Sequence, residues 1–175
     1  AIGTLGGLNI YDPKTKTMSS VDAIPKSIVF SVLEDHNNRL WVAVYDKGIY
    51  MLPKGGNKWS FFGGQKHGTA NTICLYEDSR GCIWAATDGY GVSRYNPTTK
   101  SFSPILWPQS KTNNNVVSIV EDHRGDLWMG TNEGLLCYNP ESQSVKTFNT
   151  SNGLMDNTFS TNSALCSHDG TIYMG

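Results

Sequence analysis

The chain has 175 residues and a formal net charge of −1 at pH 7, from 14 basic and 15 acidic side chains. This length allows one domain with a sizeable core, while the balanced charge, with no basic run, excludes binding driven by nucleic-acid phosphates. No apolar run approaches the roughly 20 residues that a membrane-spanning helix needs, so we expect no direct membrane insertion.

The opening residues read as the second half of a repeat. Residues 2–13, IGTLGGLNIYDP, match residues 129–140, MGTNEGLLCYNP, and the last residues, 173–175, match residues 128–130. Both ends of the chain therefore fall at the same phase of the repeat. The sequence predicts a back half of one unit and a front half of another, at residues 1–20 and 157–175.

Three full repeats lie between these halves, and each reads as four short strands. The first strand is an apolar run that ends in a Glu-Asp pair, and a hairpin turn rich in Asp, Asn or Gly follows it. The second strand carries a tryptophan, the third ends at Asn-Pro in two copies, and the fourth is short and aromatic. The full units are predicted at residues 26–63, 69–106 and 113–149.

One aromatic residue in each copy sets the period. Trp41, Trp84, Trp128 and Tyr173 lie 43, 44 and 45 residues apart, a spacing typical of β-propeller blades or of a β-solenoid. Recurrence at one phase indicates that these four residues are structural anchors packed between blades, with sugar stacking as the alternative. The sequence therefore predicts an all-β fold of four-stranded antiparallel propeller blades.

Other recurring polar residues are also interpreted as structural. The Glu-Asp pairs stand once per repeat at a turn, where an Asp side chain bonds local backbone amides, and acid–base catalysis by paired carboxylates is the alternative. His36, His123 and His168 share one turn position but belong to different blades, which argues against a shared metal ion. We therefore expect no metal site and no cofactor.

The four cysteines are too few for a disulfide scaffold of this size, and they form no Cys-x-x-Cys pair. We expect small buried side chains, with a Cys74–Cys82 bridge across one hairpin as the alternative.

Residues that do not repeat are the better candidates for binding. In a propeller, the connection between the second and third strands opens on the same face as the connection between blades. Carboxylates, amides and aromatic rings are mixed in these connections, a composition that suits a hydroxyl-rich ligand. Trp107, in a connection rather than a strand, is the strongest single candidate. The ligand-binding candidates are Asp46, Lys47, Asp88, Tyr90, Trp107, Asn132 and Glu133.

The pattern Ser-Ile-x-Glu-Asp-x-x-Gly-x-Leu-Trp-x-Gly-Thr-x-x-Gly-Leu-x-x-Tyr-x-Pro resembles the two-component regulator propeller repeat, found in the periplasmic sensor region of bacterial hybrid two-component systems. Residues 116–140 match it almost letter for letter, residues 73–97 closely, and residues 30–53 more loosely, with Ala43-Val44 where the motif has Gly-Thr. Propellers of that family have about seven blades. The resemblance therefore implies that this chain is a fragment of a larger propeller, with closure of the four repeats into a four-bladed ring as the alternative.

The resemblance also implies a periplasmic, non-catalytic module that senses an oligosaccharide and signals to a histidine kinase outside this chain. A propeller glycosidase or lyase is one alternative, for which Asp46, Asp88 and Glu133 could be recruited, and a protein-binding or dimerisation propeller is another. Because strands at both ends would lack a partner, we also expect self-association through the edges at residues 2–4 and 172–174.

Overall fold

A computed structural model describes residues 1–63, 68–106 and 115–175. The regular structure of these residues is almost entirely β-strand, with a single-turn 3₁₀ helix at Thr150–Asn152. The strands are β1 (Ile2–Thr4), β2 (Gly7–Asp12), β3 (Thr17–Ser20), β4 (Val29–Glu34), β5 (Leu40–Val44), β6 (Gly48–Leu52), β7 (Ser60–Phe62), β8 (Thr72–Glu77), β9 (Ile83–Thr87), β10 (Gly91–Asn96), β11 (Ser101–Pro104), β12 (Val116–Glu121), β13 (Leu127–Thr131), β14 (Leu135–Asn139), β15 (Ser144–Phe148), β16 (Ala164–Cys166) and β17 (Ile172–Met174).

The strands form sheets in which chain neighbours pair antiparallel. Strands β4–β7, β8–β11 and β12–β15 make three four-stranded sheets, which we call blades 1, 2 and 3. Strands β1–β3 form the N-terminal half-blade, and strands β16–β17 form the C-terminal half-blade. The predicted all-β fold of four-stranded blades is confirmed. Among the described residues, no helix has the length and apolar character needed to cross a bilayer.

The first hairpin of each blade turns on a residue with positive φ. Gly81, Gly125 and Gly170 occupy this position with φ of 75°, 83° and 86°, and Asn38 occupies it in blade 1 with φ of 56°. Glycine adopts this backbone conformation without a steric penalty, and asparagine is one of the few other residues that does so readily. The turn sequence thus fixes where the tryptophan-bearing strand begins.

The hydrophobic core lies between blades rather than within them. One cluster surrounds Trp41 and includes Tyr95 and Phe102 of blade 2, and a second surrounds Trp84 and includes Leu127 and Tyr138 of blade 3. A third cluster joins the N-terminal half-blade to blade 1. Each blade therefore buries one face on its neighbour, as stacked repeats do.

The anchor residues are not equally buried. Trp41 and Trp84 are fully buried, whereas Trp128 is partly exposed and stacks on Phe148 at a ring-centroid distance of 5.6 Å. Tyr173, which was expected to be a packed anchor, is 59 % exposed. The expectation fails for Tyr173 because no blade of this chain covers the outer face of the C-terminal half-blade.

The four cysteines are free, so the alternative of a Cys74–Cys82 bridge is not realised. Cys74 and Cys137 are buried, and burial raises the pKa of the Cys74 thiol to about 11. Cys82 and Cys166 are partly exposed.

Self-association through the open ends stays a prediction. The two half-blades belong to separate sheets and do not pair within the chain. Leu165 and Tyr173, which face each other across β16 and β17, are 61 % and 59 % exposed, and Leu5 of the N-terminal half-blade is 80 % exposed. Unpaired strand edges and uncovered apolar faces favour association with another chain.

We therefore expect sedimentation at micromolar concentration to show species larger than a monomer. Leu165→Lys and Tyr173→Lys should shift the distribution toward the monomer, while Phe61→Lys, at a residue 56 % exposed on blade 1, should not. A purely monomeric wild-type chain would contradict the prediction.

Candidate functional site

An aspartate and a tryptophan form a recurring pair in each full blade. The indole Nε1 of Trp41 donates to Asp35 Oδ2 at 2.7 Å. Trp84 donates to Asp78 and Trp128 to Asp122, each at 3.0 Å. The aspartate that shapes the hairpin turn thus also accepts the one hydrogen bond that the indole ring can donate.

The same carboxylates hold the turns in which they lie. Asp78 Oδ1 accepts the backbone N–H groups of Arg80 at 3.0 Å and Cys82 at 2.8 Å, and Asp35 and Asp122 make the corresponding bonds. Burial alone would raise the pKa of Asp35 and of Asp122. Hydrogen bonds from the indole and from backbone amides outweigh burial and lower both pKa values. Asp35 and Asp122 are therefore held ionised by structural contacts.

In blades 2 and 3 the glutamate of the Glu-Asp pair contacts the preceding blade. Glu77 accepts the backbone N–H of His36 at 2.9 Å and also contacts His36 Nδ1. Glu121 accepts the backbone N–H and the hydroxyl of Ser79 at 2.6 and 2.8 Å. Glu77 and Glu121 therefore join blades 2 and 3 to the turn of the blade before, a role that the repeat pattern does not indicate by itself.

These contacts decide between the two interpretations of the Glu-Asp pairs. In blades 2 and 3 the aspartate serves its own turn, and the glutamate serves the neighbouring turn. Catalysis by two carboxylates requires both groups to converge on one bond, and here the donors of the protein itself occupy them. The alternative of acid–base chemistry at these pairs has no geometric support.

The candidate ligand residues lie on the opposite edge of the blades, which we call the rim. Asp46 and Lys47 lie in the β5–β6 connection, Asp88 and Tyr90 in the β9–β10 connection, and Asn132 and Glu133 in the β13–β14 connection. Trp107 lies outside the described residues, as do other connection residues considered with it. Those others are Gln65, Lys66, His67, Pro108, Gln109, Asn113 and Asn114.

Backbone hydrogen bonds bring the two kinds of connection together at the rim. Tyr45 N donates to Ile28 O at 2.8 Å, and Asp88 N donates to Asn71 O at 3.0 Å. Phe159 N donates to Thr131 O at 2.9 Å. In blades 1 and 2, the connection between the second and third strands is therefore bonded to the segment that enters the blade. In blade 3, the end of the second strand is bonded to the segment that leaves the blade.

Threonine hydroxyls fix the shape of two of the rim connections. Thr87 Oγ1 donates to Gly91 O at 2.9 Å and accepts from Tyr90 N at 3.1 Å. Thr131 Oγ1 makes the corresponding bonds to Gly134 O and from Glu133 N, at 2.7 and 3.0 Å. These bonds satisfy the backbone from within the loop and leave the side chains of Asn132 and Glu133 exposed to solvent.

The rim candidates differ in their surroundings. Asp46 and Lys47 are exposed and form an ion pair at 3.3 Å, a contact that contributes little in solvent. Asp88 and Tyr90 are partly buried, and Asp88 also pairs in an isolated bridge with Asn115. The described residues contain no group of three or more His, Cys, Asp or Glu side chains that could hold a metal ion.

Comparisons with known proteins agree with this architecture. A family model described as two-component regulator propeller matches residues 66–89 and 110–133. Histidine kinase P4 of Formosa agariphila is 26 % identical over 99 % of this chain, which spans 14 % of that protein. The family model thus matches two of the repeats, and the resemblance seen in the sequence is confirmed.

Solved structures show the same fold. The extracellular domain of a putative hybrid two-component system of B. thetaiotaomicron superposes with a TM-score of 0.79 at 23 % identity, over 99 % of this chain and 24 % of that one. Virginiamycin B lyase from Staphylococcus aureus superposes with a TM-score of 0.65 at 13 % identity, over 83 % of this chain and 48 % of that one. At these identities the similarity concerns the fold alone.

Proposed function

We propose that this chain, built of two-component regulator propeller repeats, is a non-catalytic, ligand-sensing part of a bacterial sensor kinase. The alignment of nearly the whole chain with a histidine kinase carries this proposal. The sensing region would lie in the periplasm, and the signal would pass to a kinase outside these 175 residues. The chain would then form an arc of a larger propeller.

The rim supports an oligosaccharide as the ligand. It carries exposed carboxylate and amide groups at Glu133 and Asn132, and the partly buried ring of Tyr90 lies in the neighbouring blade. Carboxylates and amides form paired hydrogen bonds with vicinal hydroxyl groups, and aromatic rings stack on sugar faces. The loops are held by internal hydrogen bonds, so little ordering would oppose binding.

A non-catalytic role is favoured because the repeated carboxylates already serve the protein. Asp35, Asp78 and Asp122 accept hydrogen bonds from the tryptophans and from their own turns, while Glu77 and Glu121 accept them from the neighbouring turns. The superposition on a lyase concerns fold only. A glycosidase or lyase activity and a protein-binding rim remain the competing outcomes of the experiment below.

Titration with a panel of plant and host oligosaccharides tests the proposal. We expect saturable binding without a change in the sugar, and weaker binding for Tyr90→Ala and Glu133→Gln. Matched controls are Tyr11→Ala and Glu141→Gln, which alter exposed residues away from the rim and should leave the affinity unchanged.

Two results would contradict the proposal. Cleavage of a sugar that is abolished by Asp88→Asn or Glu133→Gln would establish an enzyme. Equal loss of affinity in the rim variants and the control variants would show that the rim is not the binding site.

A further inference from the structure

The junction between blade 3 and the C-terminal half-blade lacks the carboxylate found at the junction of blades 1 and 2 and at the junction of blades 2 and 3. The last residue of the first strand is Glu77 in blade 2 and Glu121 in blade 3, but it is Cys166 in the half-blade. Cys166 is partly exposed, and its thiol contacts the carbonyl of the following residue. Residue 166 therefore supplies no carboxylate for the turn of blade 3, unlike Glu77 and Glu121 in the turns before it.

The remainder of this junction is built like the junction between blades 1 and 2. A Cβ placed on Gly81 would lie 3.1 Å from His36 Nδ1, and a Cβ placed on Gly170 would lie 3.1 Å from His123 Nδ1. Each histidine ring thus rests against the turn glycine of the next blade. At the position of Glu77, the junction of blade 3 with the half-blade has Cys166 instead of a glutamate.

This replacement leaves the backbone N–H and the ring Nδ1 of His123, an exposed residue, without a partner in the described part of the chain. In the first junction, the backbone N–H and the ring Nδ1 of His36 both contact the carboxylate of Glu77. The corresponding atoms of His123 have no hydrogen-bond partner among residues 1–63, 68–106 and 115–175. Two N–H groups that converge as they do on Glu77 suit the two oxygens of a carboxylate.

Arg124 adds a cationic group that the first junction does not have. Its counterpart in blade 2 is Arg80, whose Nη2 lies 3.8 Å from Glu121 Oε1. Arg124 is 74 % exposed and pairs with Asp122 at 3.1 Å and with Asp126 at 3.8 Å. Since one guanidinium carries five N–H donors, these pairs leave donors for a further anion.

We propose that this junction binds the carboxylate of a small acidic ligand, with a sugar acid as the best-fitting class. The cavity has a volume of about 300 Å³ and is lined by Asp122, His123, Arg124, Trp128, Gly170 and Ile172. His123 and Arg124 hold the carboxylate, and the partly exposed indole of Trp128 offers a face for the sugar ring. The site lies at the hairpin turns, away from the rim, and does not depend on the sensing function.

Acetate, the smallest carboxylate probe, tests the site directly in the 175-residue chain. We expect saturable shifts of the His123 and Arg124 amide resonances with acetate, and none with acetamide. Cys166→Glu should weaken acetate binding by about twofold or more, because a tethered carboxylate competes for the same donors at an effective concentration in the millimolar range or above. Cys166→Ala, the matched control, removes the thiol without supplying a carboxylate and should leave the acetate affinity unchanged.

Two sugars test the class of ligand, and a second variant tests the site if Cys166→Glu does not fold. Glucuronate should shift the same resonances as acetate, whereas glucose should not. Arg124→Gln, at an exposed side chain, should also weaken acetate binding. Acetate binding that survives in both Cys166→Glu and Arg124→Gln, or shifts by glucose as large as those by glucuronate, would overturn the proposal.

Discussion

Replacing Trp84 by alanine is expected to lower the free energy of unfolding by about 3–5 kcal/mol, the range for large aromatic side chains truncated in a packed core. Trp84 is fully buried between blades 2 and 3 and packs edge-to-face on Tyr138 at a ring-centroid distance of 6.0 Å. Its loss would leave a cavity at this junction and remove the indole donor from the carboxylate of Asp78. Chemical denaturation followed by tryptophan fluorescence and circular dichroism measures the change.

Tyr173 provides the matched control for this substitution. It occupies the same position of the repeat but is 59 % exposed. Tyr173→Ala should therefore change the stability by well under about 1 kcal/mol, as most surface substitutions do. A Trp84→Ala variant that melts within a degree or two of the wild-type chain would show that the inter-blade core does not hold the fold together.

Removing the carboxylate of Asp78 should lower the free energy of unfolding by as much as removing the indole of Trp84. Asp78 is 4 % exposed and accepts hydrogen bonds from Trp84 Nε1 and from the backbone N–H groups of Arg80 and Cys82. Asp78→Ala would leave these donors without an acceptor, and removal of one partner of a buried charged network costs about 3–5 kcal/mol. The measurement is again the free energy of unfolding from denaturant titration.

Asp169→Ala is the control for this second substitution. Asp169 holds the equivalent turn of the C-terminal half-blade through Thr171 N and Ser167 Oγ, but it is exposed and bonds no indole. Asp169→Ala should lower the free energy of unfolding clearly less than Asp78→Ala does. Equal effects would indicate that the aspartate acts only on its turn and that the bond to the tryptophan contributes little.

Much of the fold follows from the period of the sequence. The Glu-Asp pair, the turn residue with positive φ and the tryptophan recur in order, and they predict the first hairpin of each blade. In the last copy of the repeat, Ser167 replaces the aspartate and Tyr173 replaces the tryptophan. Both partners of the aspartate–tryptophan hydrogen bond are therefore replaced together.

Contacts between blades could not be predicted in the same way. The contact between Glu77 and His36 depends on the rotation of one blade relative to the next. The pattern within a single repeat does not encode this rotation. The exposure of Tyr173 has a related cause, because its burial requires a neighbouring blade rather than any feature of its own strand.

The rim could be predicted only as a set of connections. Backbone hydrogen bonds such as Phe159 N to Thr131 O show that the two kinds of connection lie side by side. The identity of the side chains in those loops is not dictated by packing, so the sequence offers no rule for which of them contact a ligand. Trp107, the strongest candidate by composition, lies outside the described residues.

Ligand binding without turnover can be measured on a single sample. The chain is titrated with an oligosaccharide that binds, in an isothermal calorimeter, and the sugar is then recovered from the cell and sized by mass spectrometry. A sensing propeller predicts a saturable isotherm and a sugar recovered intact after prolonged incubation. Recovery of shortened or unsaturated products, or the lack of saturable binding to any member of the panel, would contradict it.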